Sequence, residues 1–373
     1  MSMQASDTAL PADDEPDRLE GFASPREVDR LVGHAAALAE LEDAFKSDRL
    51  HHAWLIAGPE GVGKATLAYH FARSVLAAHH AAADLVSIGP SDPVFRKVAG
   101  LGHPNLLVIR RPWNEKTKRY GQWIGVDEVR RLRAFLGNTA GETGFRVVIV
   151  DRADELNQNA ANALLKMLEE PPPETLFLLI AAAEGKIPVT IRSRCRVLRV
   201  SALELDDLTV AVRAALERGE HEVAEDALQL ALALSNGSVR RALELATGDG
   251  IGQYREALAL VGTLPELDGA RVQKLADKLG AIGETERLEL FYSLLLGLLE
   301  RLIRFAATGE STTAEEAALG RRMLGKADLG AWAEAWAAIG QAKDEALALN
   351  LDRSLLLFET FIRLRGLARE GMR

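Results

Sequence analysis

The sequence has a single cysteine, Cys195, among 373 residues. No disulfide can form within the chain, and a zinc site built from several thiolates is excluded. A reducing, cytoplasmic setting fits that composition. No apolar run approaches the ~20 residues of a membrane-spanning helix. Cations are short too: 45 Lys and Arg stand against 54 Asp and Glu, a net charge of −9. Tight, autonomous DNA binding draws on clustered cations and is not expected of this chain alone. The first twenty residues have neither a basic start nor an apolar core, so they do not read as a secretory signal. Their Asp, Glu, Pro and Ser content suggests a disordered leader over residues 1–25.

What is present centres on Ala57-Gly58-Pro59-Glu60-Gly61-Val62-Gly63-Lys64-Ala65-Thr66. A buried-strand run at 54–57 precedes it and an Ala-rich helical run at 67–78 follows it, the context a P-loop requires. Gly58, Gly61 and Gly63 let the backbone wrap a phosphate, the helix N-terminus adds positive potential, and Lys64 reaches the outer phosphates. The residue after the lysine should carry a hydroxyl for Mg²⁺. Ala65 stands there, and Thr66 lies roughly 100° further round the helix. The phosphate cradle is present and the metal ligand is not.

A length of 373 residues and 48% hydrophobic residues allow two or three domains with real cores. Apolar spacing over residues 27–45 predicts a helix broken at Gly33. Residues 79–104 lack periodicity, and His51, His52, His79, His80 and His103 have no thiolate or organised acid to complete a metal set. Strands are predicted at 106–109, 146–150, 176–182 and 195–200, and helices at 126–136 and 160–169, the latter stopped by Pro171-Pro172-Pro173. Residues 112–122, with Lys116, Lys118 and Arg119, read as a solvated hairpin, with a DNA-facing loop as the less favoured reading. Strands alternating with helices imply a parallel sheet covered on both faces. Beyond Ser201 the strands cease: three short helices over 203–246, a glycine-rich hinge at 248–252, then helix throughout.

The run Val147-Val148-Ile149-Val150-Asp151 is a strand ending in an acid, as a Walker B strand does. Arg152 occupies the next position, where an ATPase of this type places the glutamate that activates water. A guanidinium stays protonated and takes no proton from water. The segment Lys166-Met167-Leu168-Glu169-Glu170-Pro171-Pro172, with Ser193-Arg194-Cys195 and Gly237-Ser238-Val239-Arg240, resembles the clamp-loader branch of the AAA+ family. Leu50-His51-His52-Ala53-Trp54 and Asn350-Leu351-Asp352 are similar to it as well, and the likeness runs from about Leu31 to the C-terminus. Within the family the pattern is closest to delta-prime subunits of the DNA polymerase III clamp loader. Those have a degenerate ATP site beside an intact Ser-Arg-Cys motif. Ala181-Ala182-Ala183 supply no polar sensor at the end of the fourth strand, and the four-cysteine zinc module of many relatives is missing near 79–105.

The resemblance implies an α/β RecA-like AAA+ domain with a parallel sheet over 26–200, an all-α lid over 201–247 and an all-α collar over 248–373. It implies a non-catalytic stator subunit that helps load a sliding clamp onto primed DNA and lends Arg194, as an arginine finger, to a neighbour's ATP site. Gly58, Gly61, Gly63, Lys64, Thr66, Asp151 and Arg240 would line a degenerate nucleotide site, with no metal, no required cofactor and at most weak nucleotide binding without hydrolysis. Gamma/tau and delta subunits are the implied partners, with the sliding clamp and primer-template DNA met through the complex. An active gamma/tau-type ATPase is the alternative; a helicase loader fits the proline-stopped helix and long helical C-terminus poorly. The Leu-rich spacing over 288–302 is expected to form a face buried against other collars. Arg192, Arg194 and Arg196 alternate at strand spacing and are expected to share one face.

Overall fold

The computed structural model describes residues 15–16, 18–78, 88–117, 119–137, 144–281, 283–310, 313–325 and 327–370. His79, His80 and Lys118 lie outside these. The chain divides into two compact units: Met1–Glu222 with Ser235–Ala242, and Val223–Leu234 with Leu243–Arg373.

The first unit runs α1 (Ala35–Lys46), β1 (Ala53–Ala57), α2 (Lys64–Ala77), α3 (Pro93–Ala99), β2 (Leu106–Ile109), β3 (Trp113–Asn114), β4 (Arg119–Tyr120), α4 (Val126–Gly137), β5 (Arg146–Val150), α5 (Gln158–Glu169), β6 (Thr175–Ala181), α6 (Val189–Arg192), β7 (Arg196–Arg199) and α7 (Leu205–Arg218). Five strands form a parallel sheet in the order β2-β5-β6-β1-β7. Side chains alternate across a strand, so each strand feeds two cores. Trp54, Ile56, Val147, Ile149, Leu178 and Ile180 pack with Leu41, Leu67 and Phe71 of α1 and α2. Leu55, Val148, Val150, Phe177 and Leu179 pack with Val129, Leu132, Leu164 and Leu168 of α4 and α5. With both faces covered, β6 is buried along its whole length, and its continuous apolar run follows from that.

Two local readings are refined and a third, the hairpin over 112–122, is met. The helix expected across Gly33 instead begins at Ala35, because Gly33 (φ +69°) and His34 (φ +57°) both adopt left-handed backbone. The stretch without periodicity, 79–104, holds α3, whose Asp92 side chain accepts from Val94 N at 2.7 Å and whose first residue is Pro93. Residues 112–122 hold the two-stranded hairpin β3–β4, with the Trp113 and Tyr120 rings 5.0 Å apart.

The described part of the expected leader is fixed in place. Phe22 is buried and stacks on His221 at 4.5 Å. Glu15 Oε1 receives Arg26 Nε at 2.5 Å and Arg110 Nη1 at 2.8 Å. Burial opposes ionisation of Glu15, yet the hydrogen bonds from Arg26 and Arg110 outweigh it and hold the carboxyl below its ordinary range. Glu15→Ala should therefore lower stability by about 3 kcal/mol near neutral pH, since two buried guanidiniums lose their shared carboxylate. A carboxyl with a depressed folded pKa stabilises above its unfolded value and ceases to do so as pH falls through the folded one. Urea denaturation should thus separate the two proteins at about pH 7, and the gap should narrow as the pH falls below the ordinary carboxylate range; a gap that does not narrow in acid would contradict this.

The chain continues through α8 (Glu225–Leu234) and α9 (Val239–Thr247) into α10 (Gly250–Gly262), α11 (Gly269–Leu279), α12 (Thr285–Thr308), α13 (Ala314–Leu324), α14 (Leu329–Leu349) and α15 (Arg353–Glu370). The expected hinge at 248–252 is shorter than its glycine content suggested, because Gly250 and Gly252 already lie inside α10. The described elements of the second unit are all helices, and its core gathers around α12. Leu288, Phe291, Leu295, Leu298, Leu299 and Leu302 all pack inside this core against α10, α13, α14 and α15. This overturns the expectation that the 288–302 face waits for another subunit. A 24-residue helix surrounded by its own neighbours buries that face without a partner. Exposed apolar side chains stand elsewhere: Leu349 at the end of α14, Leu351, and Leu355 and Ile362 seven residues apart on one side of α15.

Candidate functional site

The carboxyl ends of parallel strands share one edge, so the segments following β1, β5 and β6 converge there. After β1 the chain turns at Gly58, where any Cβ would collide with the Val200 carbonyl oxygen. Gly61 (φ +72°) and Gly63 (φ +104°) hold left-handed backbone, and Gly63 caps α2. The P-loop wrap is therefore built as the sequence indicates. A Cβ on Gly61 would lie 2.6 Å from Cβ of Arg240, whose backbone N–H donates to Gly61 O at 3.3 Å. Thus Arg240, at the start of α9, stands directly over the loop.

Lys64 is buried, and its ammonium turns back into the loop, donating to Gly58 O at 2.8 Å and Pro59 O at 2.5 Å. Burial pushes its pKa down, against the pull of Glu60 and Asp154. Ala65 follows with no oxygen to offer, and Thr66 is half-buried one helical step on. Asp151 follows β5, anchored by its N–H to Ile109 O at 2.9 Å. Arg152 (φ +59°) pairs with Glu60 Oε1 at 2.8 Å and with Glu155 Oε1 at 2.7 Å. The position where a water-activating acid would stand is thus a cation tied to the P-loop itself. Asp154 Oδ2 accepts the Ala182 N–H at 3.4 Å. His34 Nε2–H donates to Val62 O at 2.7 Å.

Arg194 lies in the turn between α6 and β7, apart from the P-loop group in the chain. Its Nη2 pairs with Glu169 Oε1 at 2.7 Å, and Nη1 donates to Thr190 O at 2.9 Å and Ser193 Oγ at 3.4 Å. The expected shared face of three arginines is not found. Pro188 opens a helical turn that ends at Arg192, so strand spacing starts only at Arg196. Arg196 is engaged differently, pairing with Glu40 at 2.7 Å and lying 4.7 Å over the Trp54 ring. Burial pushes the neighbouring Cys195 thiol up to about 12, so no thiolate stands there near neutral pH.

Sequence reasoning did not single out Glu60, Glu169 or His34. Glu60 sits inside the P-loop, and its partner is 92 residues away. His34 is 28 residues from the carbonyl that it serves. Only Glu169 carried a local signal, as an acid closing a helix just before a proline run.

A P-loop after β1, beside the edge strand β7 of a parallel sheet ordered β2-β5-β6-β1-β7, with an acid after β5 and a helical segment over the loop, is the RecA-like AAA+ fold. Residues 33–204 match the family described as DNA polymerase III, delta subunit. The chain is 38% identical over 204 residues to DNA polymerase III subunit delta' of Pseudomonas aeruginosa, covering 55% of this chain and 58% of that one. It is 30% identical over 318 residues to subunit tau of Escherichia coli, covering 80% of this chain and 47% of that one. To subunit gamma of Buchnera aphidicola it is 28% identical over 280 residues, covering 69% and 73%. The chain is thus similar to subunits of the DNA polymerase III clamp loader. It spans about half the length of the delta' and tau relatives. Among the described residues no helix is long and apolar enough to cross a membrane.

Proposed function

We propose that this chain is a stator subunit of the delta-prime kind. It braces a clamp-loader ring that places a sliding clamp on primer-template DNA, and it lends Arg194 to the ATP site of an adjoining gamma/tau subunit. The observation that carries the non-catalytic reading is Arg152, held by Glu60 and Glu155 where a general base is required. Ala65 adds an independent loss, the Mg²⁺ ligand. Gly58, Gly61 and Gly63 with Lys64, Thr66, Asp151 and Arg240 retain a cradle suited to weak nucleotide binding without turnover. Leu355 and Ile362 on α15 offer apolar surface for contact with gamma/tau and delta subunits in a cytoplasmic assembly.

The alternative is a gamma/tau-type ATPase, favoured by the longer alignments to tau and gamma. Turnover separates the two. The purified chain should hydrolyse no ATP, alone or with Mg²⁺ and primed DNA. Mixed with a gamma/tau partner it should raise, not supply, the hydrolysis. Activity in the pure chain that disappears with Lys64→Ala would establish the ATPase reading instead.

A further inference from the structure

Glu169 is the last residue of α5 and sits where the helix dipole presents its negative end. An acid there is locally unfavourable, and Glu170 beside it adds a second negative charge. Pro171-Pro172-Pro173 then ends the helix and fixes where its last side chain emerges. A residue that opposes its own helix calls for a reason outside the helix. Its carboxylate meets Arg194 Nη2 at 2.7 Å, across 25 residues of sequence that include a whole strand.

The pair is not a stability device. The Arg194 and Glu169 side chains are 36% and 48% exposed, and exposed pairs contribute little to stability. What the contact does is orient. Nη2 is held by Glu169 and Nη1 by Thr190 O and Ser193 Oγ, so two ends of one planar group are fixed. The Nε–H takes part in none of these contacts, and Nη2 keeps its second N–H. Those are donors that a phosphate oxygen can take without breaking the ion pair.

We infer that Glu169 is a positioning residue for Arg194, presetting the guanidinium plane that the chain offers to a neighbour's triphosphate. This rests on the reading of Arg194 as a trans-acting finger. Preorganising a donor matters where charge develops in the transition state, so the effect belongs in kcat.

The test uses the complex reconstituted with gamma/tau and delta subunits, primed DNA and clamp. Glu169→Gln should lower the kcat of DNA-stimulated ATP hydrolysis by about threefold to tenfold at unchanged KM for ATP, with melting temperature and subunit stoichiometry unaltered. Arg194→Ala should lower it further, and the double variant should match Arg194→Ala alone, because Glu169 acts only through that side chain. If Arg194→Ala lowers turnover while Glu169→Gln leaves it unchanged or raises it, the positioning role is wrong and the finger reading stands. If Arg194→Ala itself has no effect, the finger reading fails first. Additive losses in the double variant would show that Glu169 acts by another route.

Discussion

Arg194→Ala is expected to slow ATP hydrolysis at one neighbouring site by about 10³–10⁵, the range over which a guanidinium supplied in trans accelerates phosphoryl transfer. Negative charge builds on the oxygens of the transferring group. A planar, permanently protonated fork binds two of them at once, which an ammonium does not. Arg194 is suited to the task by its placement. It stands in a turn at the end of α6, 36% exposed, with its polar contacts to Glu169, Thr190 and Ser193. The steady-state rate of the whole complex should fall by less, since other sites keep their own fingers. Clamp loading onto primed DNA should fall with it. Folding and assembly should be unchanged, because removing a half-exposed ion pair alters stability by about 1 kcal/mol or less. A complex of verified stoichiometry with wild-type ATPase and loading rates would reduce Arg194 to a surface partner of Glu169.

Glu316→Ala should destabilise the second unit by about 3–5 kcal/mol, the cost of stranding a buried charge. The Glu316 and Arg301 side chains are only 2% and 7% exposed, and they meet through Nη2 at 2.8 Å and Nε at 2.9 Å. Tyr254 donates its hydroxyl to the same carboxylate at 2.8 Å, so one acid joins α10, α12 and α13. Burial pushes the Tyr254 hydroxyl above its ordinary pKa, and the adjacent Glu316 pushes the same way, so it remains a donor. Replacing both charges together, with Arg301→Met and Glu316→Leu, should be far milder than the single change. Chemical denaturation of the full chain and the two variants would measure this. A loss below about 1 kcal/mol for Glu316→Ala would mean that Arg301 finds other compensation.

Much of the first unit could be read directly from local pattern. The run 146–150 had no polar interruption after Arg146 and became β5 with the same limits. The proline run after Glu170 stopped α5 where expected. The errors came where local signals compete. Apolar spacing on both sides of Gly33 suggests one interrupted helix, yet Gly33 and His34 precede α1 in left-handed backbone. The pair Asp92-Pro93 was a sound helix start, masked by the glycines and prolines around it. Alternating arginines suggested a strand because spacing two apart ignores the turn that Pro188 sets up.

By itself the sequence determined that a P-loop forms without its metal ligand, that a cation follows the acid of β5, and that strands end before a helical C-terminus. Those are properties of residue type and order. Tertiary structure alone decided where the charges went. Lys64 turned onto its own loop, Arg152 joined Glu60 across 92 residues, and Arg194 met Glu169. It also decided that the apolar face of α12 is consumed within its own unit, leaving Leu355 and Ile362 exposed instead. The physical reason is the same in each case. Periodicity tells which side of an element is apolar, and residue type tells which group is charged. The partner that satisfies either is set by how distant segments are brought together in the fold.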